Sequence, residues 1–169
     1  MGFPKYIGTI PDIFTPAVTV ESPGYVYITV RINKSASRRN VYWHLVDPAF
    51  SLLELGFEWG SNRLTHISVP LYKGVIGDTK EVLPQHEKGE PTFDVPSLGF
   101  SGESKGAAPE VIKQEGRIQL DRSGPDLHIR LGSGSIRRVF SCQDQLIYGF
   151  GDSGELELIS LSGRAALLK

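Results

Sequence analysis

The tetrapeptide Gly151-Asp152-Ser153-Gly154 has the residue types of a nucleophilic serine site. Such a serine needs a histidine as base and a buried carboxylate to orient it. His44 and Asp94 precede it and are the residues that could serve. His44 lacks the small-residue and cysteine flanks that proteases with this motif show, and Asp-Ser-Gly is also ordinary turn chemistry. The motif therefore reads first as a hairpin turn and second as a hydrolase site using Ser153.

The other candidate groups are scattered. His44, His66, His86 and His128 never pair at short spacing, and His-x-His, HExxH and CxxC are all missing, so no metal site is expected. His44, His66 and His128 fall at polar positions of expected strands. Gly132-Ser133-Gly134-Ser135 lacks the Gly-Lys-Ser/Thr of a phosphate-binding loop and reads as a turn. No cofactor is expected. Arg137 and Arg138 are adjacent in a strand, so they face opposite sides and form no single phosphate patch. Tyr25, Tyr42, Trp43 and Trp59 could form an aromatic contact surface, since aromatics bury much area at small entropic cost. Trp43 suits a core equally well, whereas Trp59 lies in an expected turn and is the better contact candidate.

Acidic residues supply a further possibility. Residues 81–127 hold nine acids and five bases, against six acids and eight bases in residues 1–80. Glu81, Glu87, Glu90 and Asp94 make a belt that is either a solvated loop or a surface steering a basic partner.

The elements that must position these groups are strands. Val26, Ile28, Val30 and Ile32 alternate with Tyr25, Tyr27, Thr29 and Arg31, the period of a half-buried strand opened by Pro23-Gly24. A polar loop, 33–40, leads to a strand at 41–46. Strands at 52–57 and 64–71 form a hairpin around Gly60-Ser61-Asn62. Residues 74–110 read as an irregular connector with one buried piece at Phe93–Val95. Strands return at 118–120, 127–131, 136–142, 146–150 and 155–161. Short helical turns are expected at 109–114 and at the C-terminus. An echo links the two hairpins: Gly56-Phe57 with Gly149-Phe150, Leu64 with Leu156, Ile67 with Ile159, Ser68 with Ser160. The expectation is a single all-β domain, sandwich-like or barrel-like, with antiparallel hairpins in two related halves (20–73 and 111–169) and little helix.

The bulk composition narrows the classes. Hydrophobic residues make up 40% of the chain, enough for a core. A net charge of −1 argues against a nucleic-acid partner. The single cysteine, Cys142, allows no internal disulfide, and no stretch has the apolar length of a membrane span. The N-terminal residues lack the pattern of a signal peptide. A cytoplasmic location is the expectation, with no membrane partner.

Two stretches carry a resemblance. The first is SLLELGFEWGSNRLTHISVPLYKGVI, residues 51–76, followed by Pro91-Thr92-Phe93-Asp94. The second is LHIRLGSGSIRRVFSCQDQLIYGFGDSGELELISL, residues 127–161. Together they resemble bacterial immunity proteins of contact-dependent growth inhibition and polymorphic toxin systems. Those proteins show Leu-Glu-hydrophobe-Gly-Phe, a turn and Leu-x-x-Ile-Ser/Thr, then Phe-Asp, then a closing Phe-Gly…Gly-Glu-Leu hairpin. The resemblance covers roughly half the chain and brings no invariant functional residue with it. It implies a non-catalytic protein that binds the C-terminal domain of a cognate toxin one to one, with a nuclease as one candidate for that toxin. The expected contacts are Glu87, Glu90, Asp94 and Trp59, with Glu54, Glu58, Asp152 and Glu155 as rivals. A structural or assembly module of a phage or secretion system is the main alternative, and a small serine hydrolase the second.

Overall fold

The computed structural model describes residues 2–11, 16–21, 26–32, 39–103 and 108–168. Tyr25, the Pro23-Gly24 turn and most of the polar loop expected after Ile32 lie outside them.

The described chain is β-dominated. Its strands are β1 (Tyr6–Ile10), β2 (Ala17–Glu21), β3 (Val26–Arg31), β4 (Asn40–Val46), β5 (Leu52–Glu58), β6 (Arg63–Tyr72), β7 (Gly77–Asp78), β8 (His86–Lys88), β9 (Glu90–Phe93), β10 (Glu110–Glu115), β11 (Gln119–Ser123), β12 (Asp126–Arg130), β13 (Arg138–Cys142), β14 (Leu146–Phe150) and β15 (Leu156–Leu161). Helical structure among the described residues is limited to two short 3-10 turns, Pro96–Leu98 and Ala165–Leu167. None of it is long and apolar enough to cross a membrane.

The strands form two sheets on one shared core. The first runs β2-β3-β6-β5-β4-β10, with β9 and then β1 joining the Arg63 end of β6. The second runs β7-β11-β12-β15-β14-β13-β8. Apolar side chains from both, including Trp43, Phe57, Phe93, Phe140, Tyr148 and Phe150, fill the space between them.

The two sheets repeat one plan. The hairpin β2–β3 corresponds to β11–β12, and the run β3-β6-β5-β4 to β12-β15-β14-β13, antiparallel throughout. Each sheet then gains a parallel strand on its outer flank, β10 on β4 and β8 on β13. The echo read from the sequence is the best preserved part of this repeat. Phe57 pairs with Leu64, and Phe150 with Leu156. Both registers shift between the glycine and the phenylalanine, because the return strand carries one extra residue, Thr65 in one sheet and Glu157 in the other. The carbonyl of each extra residue accepts from the backbone just beyond the neighbouring strand: Ile32 N donates to Thr65 O, and Leu131 N to Glu157 O, both at 3.0 Å. Bulges of this kind bend and twist a sheet, here at matching places.

The expected hairpins pair antiparallel, and further strands make the sheets mixed, since β10–β4, β8–β13 and β7–β11 are parallel. Those strands come from the connector and its exits. Long crossovers rather than tight turns deliver them, and that is what parallel pairing requires. Residues 109–114 form no helical turn: β10 is a strand with alternating burial, placed by β4.

The connector also does more than join the halves. From β7, beside β11, it crosses the outer face of the second sheet to β8, beside β13. On the way Glu81 pairs with Arg130 of β12, and Leu83 packs on Ile136, Val139, Ile147 and Leu158. This strap explains why every residue of β14 is buried. In β4 only alternate residues are, the signature of a sheet with one solvated face.

Candidate functional site

No described segment covers the outer face of the first sheet. Alternation sends Val41, Trp43 and Leu45 inward and leaves Tyr42 and His44 outside; likewise Leu53 and Leu55 go in and Glu54 stays out. Neighbouring strands add His66 and Ser68 from β6, and Tyr27, Thr29 and Arg31 from β3.

Glu54 lies between two imidazoles. Its Oε2 is 2.7 Å from His44 Nε2 and its Oε1 is 3.1 Å from His66 Nε2. An ionised carboxylate only accepts, so both rings carry their proton on Nε2 and donate it to Glu54. The Tyr42 ring stands edge-on to His66, with centroids 6.4 Å apart. It lies over Gly56, where a Cβ would come 3.0 Å from Tyr42 Cε1 and 3.1 Å from His66 Cβ. Gly56 is thus the position that lets the two rings meet.

Beside this cluster runs a groove of about 320 Å³, lined by Ala17, Thr19, Tyr27, Thr29 and Arg31. Arg31 sits opposite His66 and Thr29 opposite Ser68, so groove and cluster form one continuous surface. Arg31 is exposed and has no ion-pair partner among the described residues. Thr29 Oγ1 is buried and makes no hydrogen bond. This surface can accept a carboxylate or another planar acceptor on Arg31, supply hydroxyls from threonine and tyrosine, and stack an aromatic group on Tyr42. No cluster of three or more metal-ligating side chains is arranged to hold an ion among the described residues.

The residues singled out in the sequence are distributed differently. Glu87 is exposed on β8 and gripped at 2.6 and 3.0 Å by Arg138, which lowers its pKa. The Arg138 guanidinium also lies 4.8 Å over the Tyr6 ring and 4.9 Å over Phe140. Glu90 is only 3% exposed; Arg63 binds it through Nε at 3.1 Å and a terminal nitrogen at 2.8 Å. Its carboxylate faces Arg63 in the interior, not a partner outside. With Glu81 on Arg130, three acids of the belt are matched by arginines of the same chain, and the belt's charge is largely compensated. Asp94 is half-buried, its backbone N–H donating to Lys5 O at 2.9 Å. Trp59 is half-buried, with its indole against Gly102 and the core. Trp43 is in the core.

Ser153 is exposed on the β14–β15 turn, where Asp152 pairs with Arg137 at 2.8 Å. No histidine hydrogen-bonds to it among the described residues; His44 is engaged by Glu54 on the other sheet. His86 is exposed on β8 and His128 is buried on β12. In the Gly132–Ser135 loop, Gly134 N donates to Glu157 Oε2 at 3.2 Å. A Cβ at Gly134 would come within 2.9 Å of that carboxyl carbon, so the glycine makes room for the chain's own acid. Glu58 is buried and accepts from Ser61 Oγ. The backbone at Glu155 makes an isolated antiparallel β-bridge with that at Lys5.

Among the rival acids, then, Glu54 lies on the open face. The sequence reading had assigned no role to Arg31, Tyr27 or Thr29. Their signal was present as the polar phase of the first alternating strand. No protein-family model and no curated protein matches the chain.

Proposed function

We propose that this chain is an immunity protein that neutralises a cognate toxin by direct one-to-one binding, without catalysis, and that the open face of the first sheet is its contact surface. The observation carrying this reading is an asymmetry. Two sheets share one plan; one outer face is roofed by the connector, and the other is left uncovered by the described residues and is built from Tyr, His, Arg and Thr. Aromatic and arginine side chains on a rigid sheet are the chemistry of interface anchors. The resemblance of residues 51–76 and 127–161 to immunity proteins supports the same reading. The compensated acidic belt moves the expected contacts from Glu87 and Glu90 to Tyr42, Glu54, His66 and Arg31. Asp94 and Trp59 are secondary contacts.

The test is affinity capture from the native bacterium, followed by reconstitution with the recovered toxin domain. A one-to-one complex that protects cells co-expressing the toxin is the expected result. Tyr42→Ala with His66→Ala should weaken it at least about tenfold, the effect of losing roughly 1.4 kcal/mol at a contact. Glu87→Ala should not. Recovery of the chain only with itself would replace this reading by the assembly-module one, which the outer edge of β2, unpaired among the described residues, favours.

A further inference from the structure

The second sheet contains, built in, an example of what can lie on the first. Register makes the correspondence residue by residue. Arg31 faces His66 as Arg130 faces Leu158. Thr29 faces Ser68 as His128 faces Ser160. Thr19 faces Thr29 as Asp121 faces His128, and Ala17 faces Arg31 as Gln119 faces Arg130. Arg31 and Arg130 are therefore equivalent.

On the second sheet this arginine is held by the carboxylate of Glu81, delivered by an extended segment that crosses the face from β7 to β8. On the first sheet the same arginine is exposed with no ion-pair partner among the described residues. Beside it, Ala17 and Thr29 are smaller than their counterparts Gln119 and His128, which leaves room for the groove, and Thr19 stands where Asp121 does. The exchange also removes the negative charge of Asp121, so the groove favours an anion more than its counterpart does.

We propose that the groove on β2 and β3 receives an extended acidic segment of the partner protein, laid across the first sheet as residues 79–85 lie across the second, with a carboxylate on Arg31. This rests on the reading of the open face as the partner surface and adds the chemistry of the bound segment. Two residues beyond the acid, the strap places Leu83 on Val139, Ile147 and Leu158. The corresponding positions on the first sheet are Tyr42, Glu54 and His66. The partner's residue there is aromatic with a polar tip, since an aliphatic one would lie against Glu54 without a matching surface. The carboxylate takes the guanidinium in the forked geometry that arginine favours, and Thr29 Oγ1 gains the partner it lacks within the chain.

The probe is a capped heptapeptide patterned on the strap, Thr-Lys-Glu-Val-Tyr-Pro-Gln, titrated into the ¹⁵N-labelled protein and followed by amide shifts. Saturable shifts at residues 17–20 and 27–31 are expected. Affinity should fall about tenfold when the peptide carries glutamine for glutamate, the scale of one charge-assisted hydrogen-bonding contact. Arg31→Gln in the protein should give the same loss while the remaining spectrum reports an intact fold. No shifts at these residues, or equal affinity for both peptides, would overturn the proposal. The peptide experiment uses no toxin. A protein that binds its toxin but ignores the peptide loses only this inference, and one that takes the peptide but no toxin loses only the immunity function.

Discussion

Phe57 and Phe150 occupy the same place in two different sheets, and both rings meet Phe93, at centroid distances of 5.3 and 5.9 Å. Each follows a glycine at a register shift. The repeat therefore converges on a residue that belongs to neither hairpin. Phe93, on β9, ties the halves together from the connector.

Phe93→Ala should cost about 3–5 kcal/mol, the range for deleting a fully buried aromatic ring. Phe57→Ala and Phe150→Ala should fall in the same range, and the double variants with Phe93 should cost less than the sum, because each pair shares one cavity. Urea denaturation of the five variants reads this. Additive losses would mean that the three rings do not act as one cluster.

The strap depends on Leu83, its one apolar anchor in the patch of Ile136, Val139, Ile147 and Leu158. Leu83→Ala should release residues 79–85 before the sheet beneath them is affected. Hydrogen exchange at those amides should speed up while β14 and β15 keep their protection, since local opening requires only the contacts being lost. Unchanged exchange in the strap would show that Glu81–Arg130 and the flanking β7 and β8 hold it without Leu83.

The strands with one solvated face were legible in the sequence, because alternation such as Val41-Tyr42-Trp43-His44 is a local signal. β10 was not. Glu110–Glu115 becomes a strand through a parallel partner some seventy residues away, and nothing local announces that pairing. The acidic belt misled for a related reason. Composition shows Glu81, Glu87 and Glu90 close together, but not that Arg130, Arg138 and Arg63 fold onto them. The five-strand repeat was visible only at its Gly-Phe hairpins. There the inward residues are held to one shape, whereas outward pairs such as Tyr42 with Val139 and His66 with Leu158 have diverged, one face being open and the other roofed.

Glu90, only 3% exposed, is ion-paired with Arg63, and the hydrogen bond that Arg63 donates to it is the main reason that the Arg63 pKa is raised. Glu90→Gln removes the main counter-charge of a largely enclosed guanidinium. The expected loss is about 3 kcal/mol, the lower end for breaking a buried pair, because Arg63 keeps some contact with water. Replacing both residues, Arg63→Met with Glu90→Leu, should recover most of it. Chemical denaturation of the single and double variants decides the matter. A double variant as unstable as the single one would show that the pair fixes the β6–β9 junction through geometry rather than charge.

His128 should make the fold sensitive to mild acid. It is 3% exposed beneath the strap, its Nδ1 has no hydrogen-bond partner, and burial lowers its pKa below the ordinary histidine value of about 6.5. The groups facing it pull both ways: Glu81 on the strap, Asp126 on its own strand and Asp121 on β11 raise the value, while Arg130 lowers it, and burial outweighs them. The sign follows from proton counting. As pH falls past about 6.5, the unfolded chain takes up a proton at this position before the folded one does, so stability drops with pH until the folded pKa is passed. Above about 6.5 the group contributes no slope. His128→Gln removes the titration and should flatten that part of the stability–pH profile, with the other three histidines left in place as a common background. Urea midpoints between pH 7.5 and 5, read for both proteins, provide the comparison. Parallel profiles would mean that His128 is not the proton acceptor.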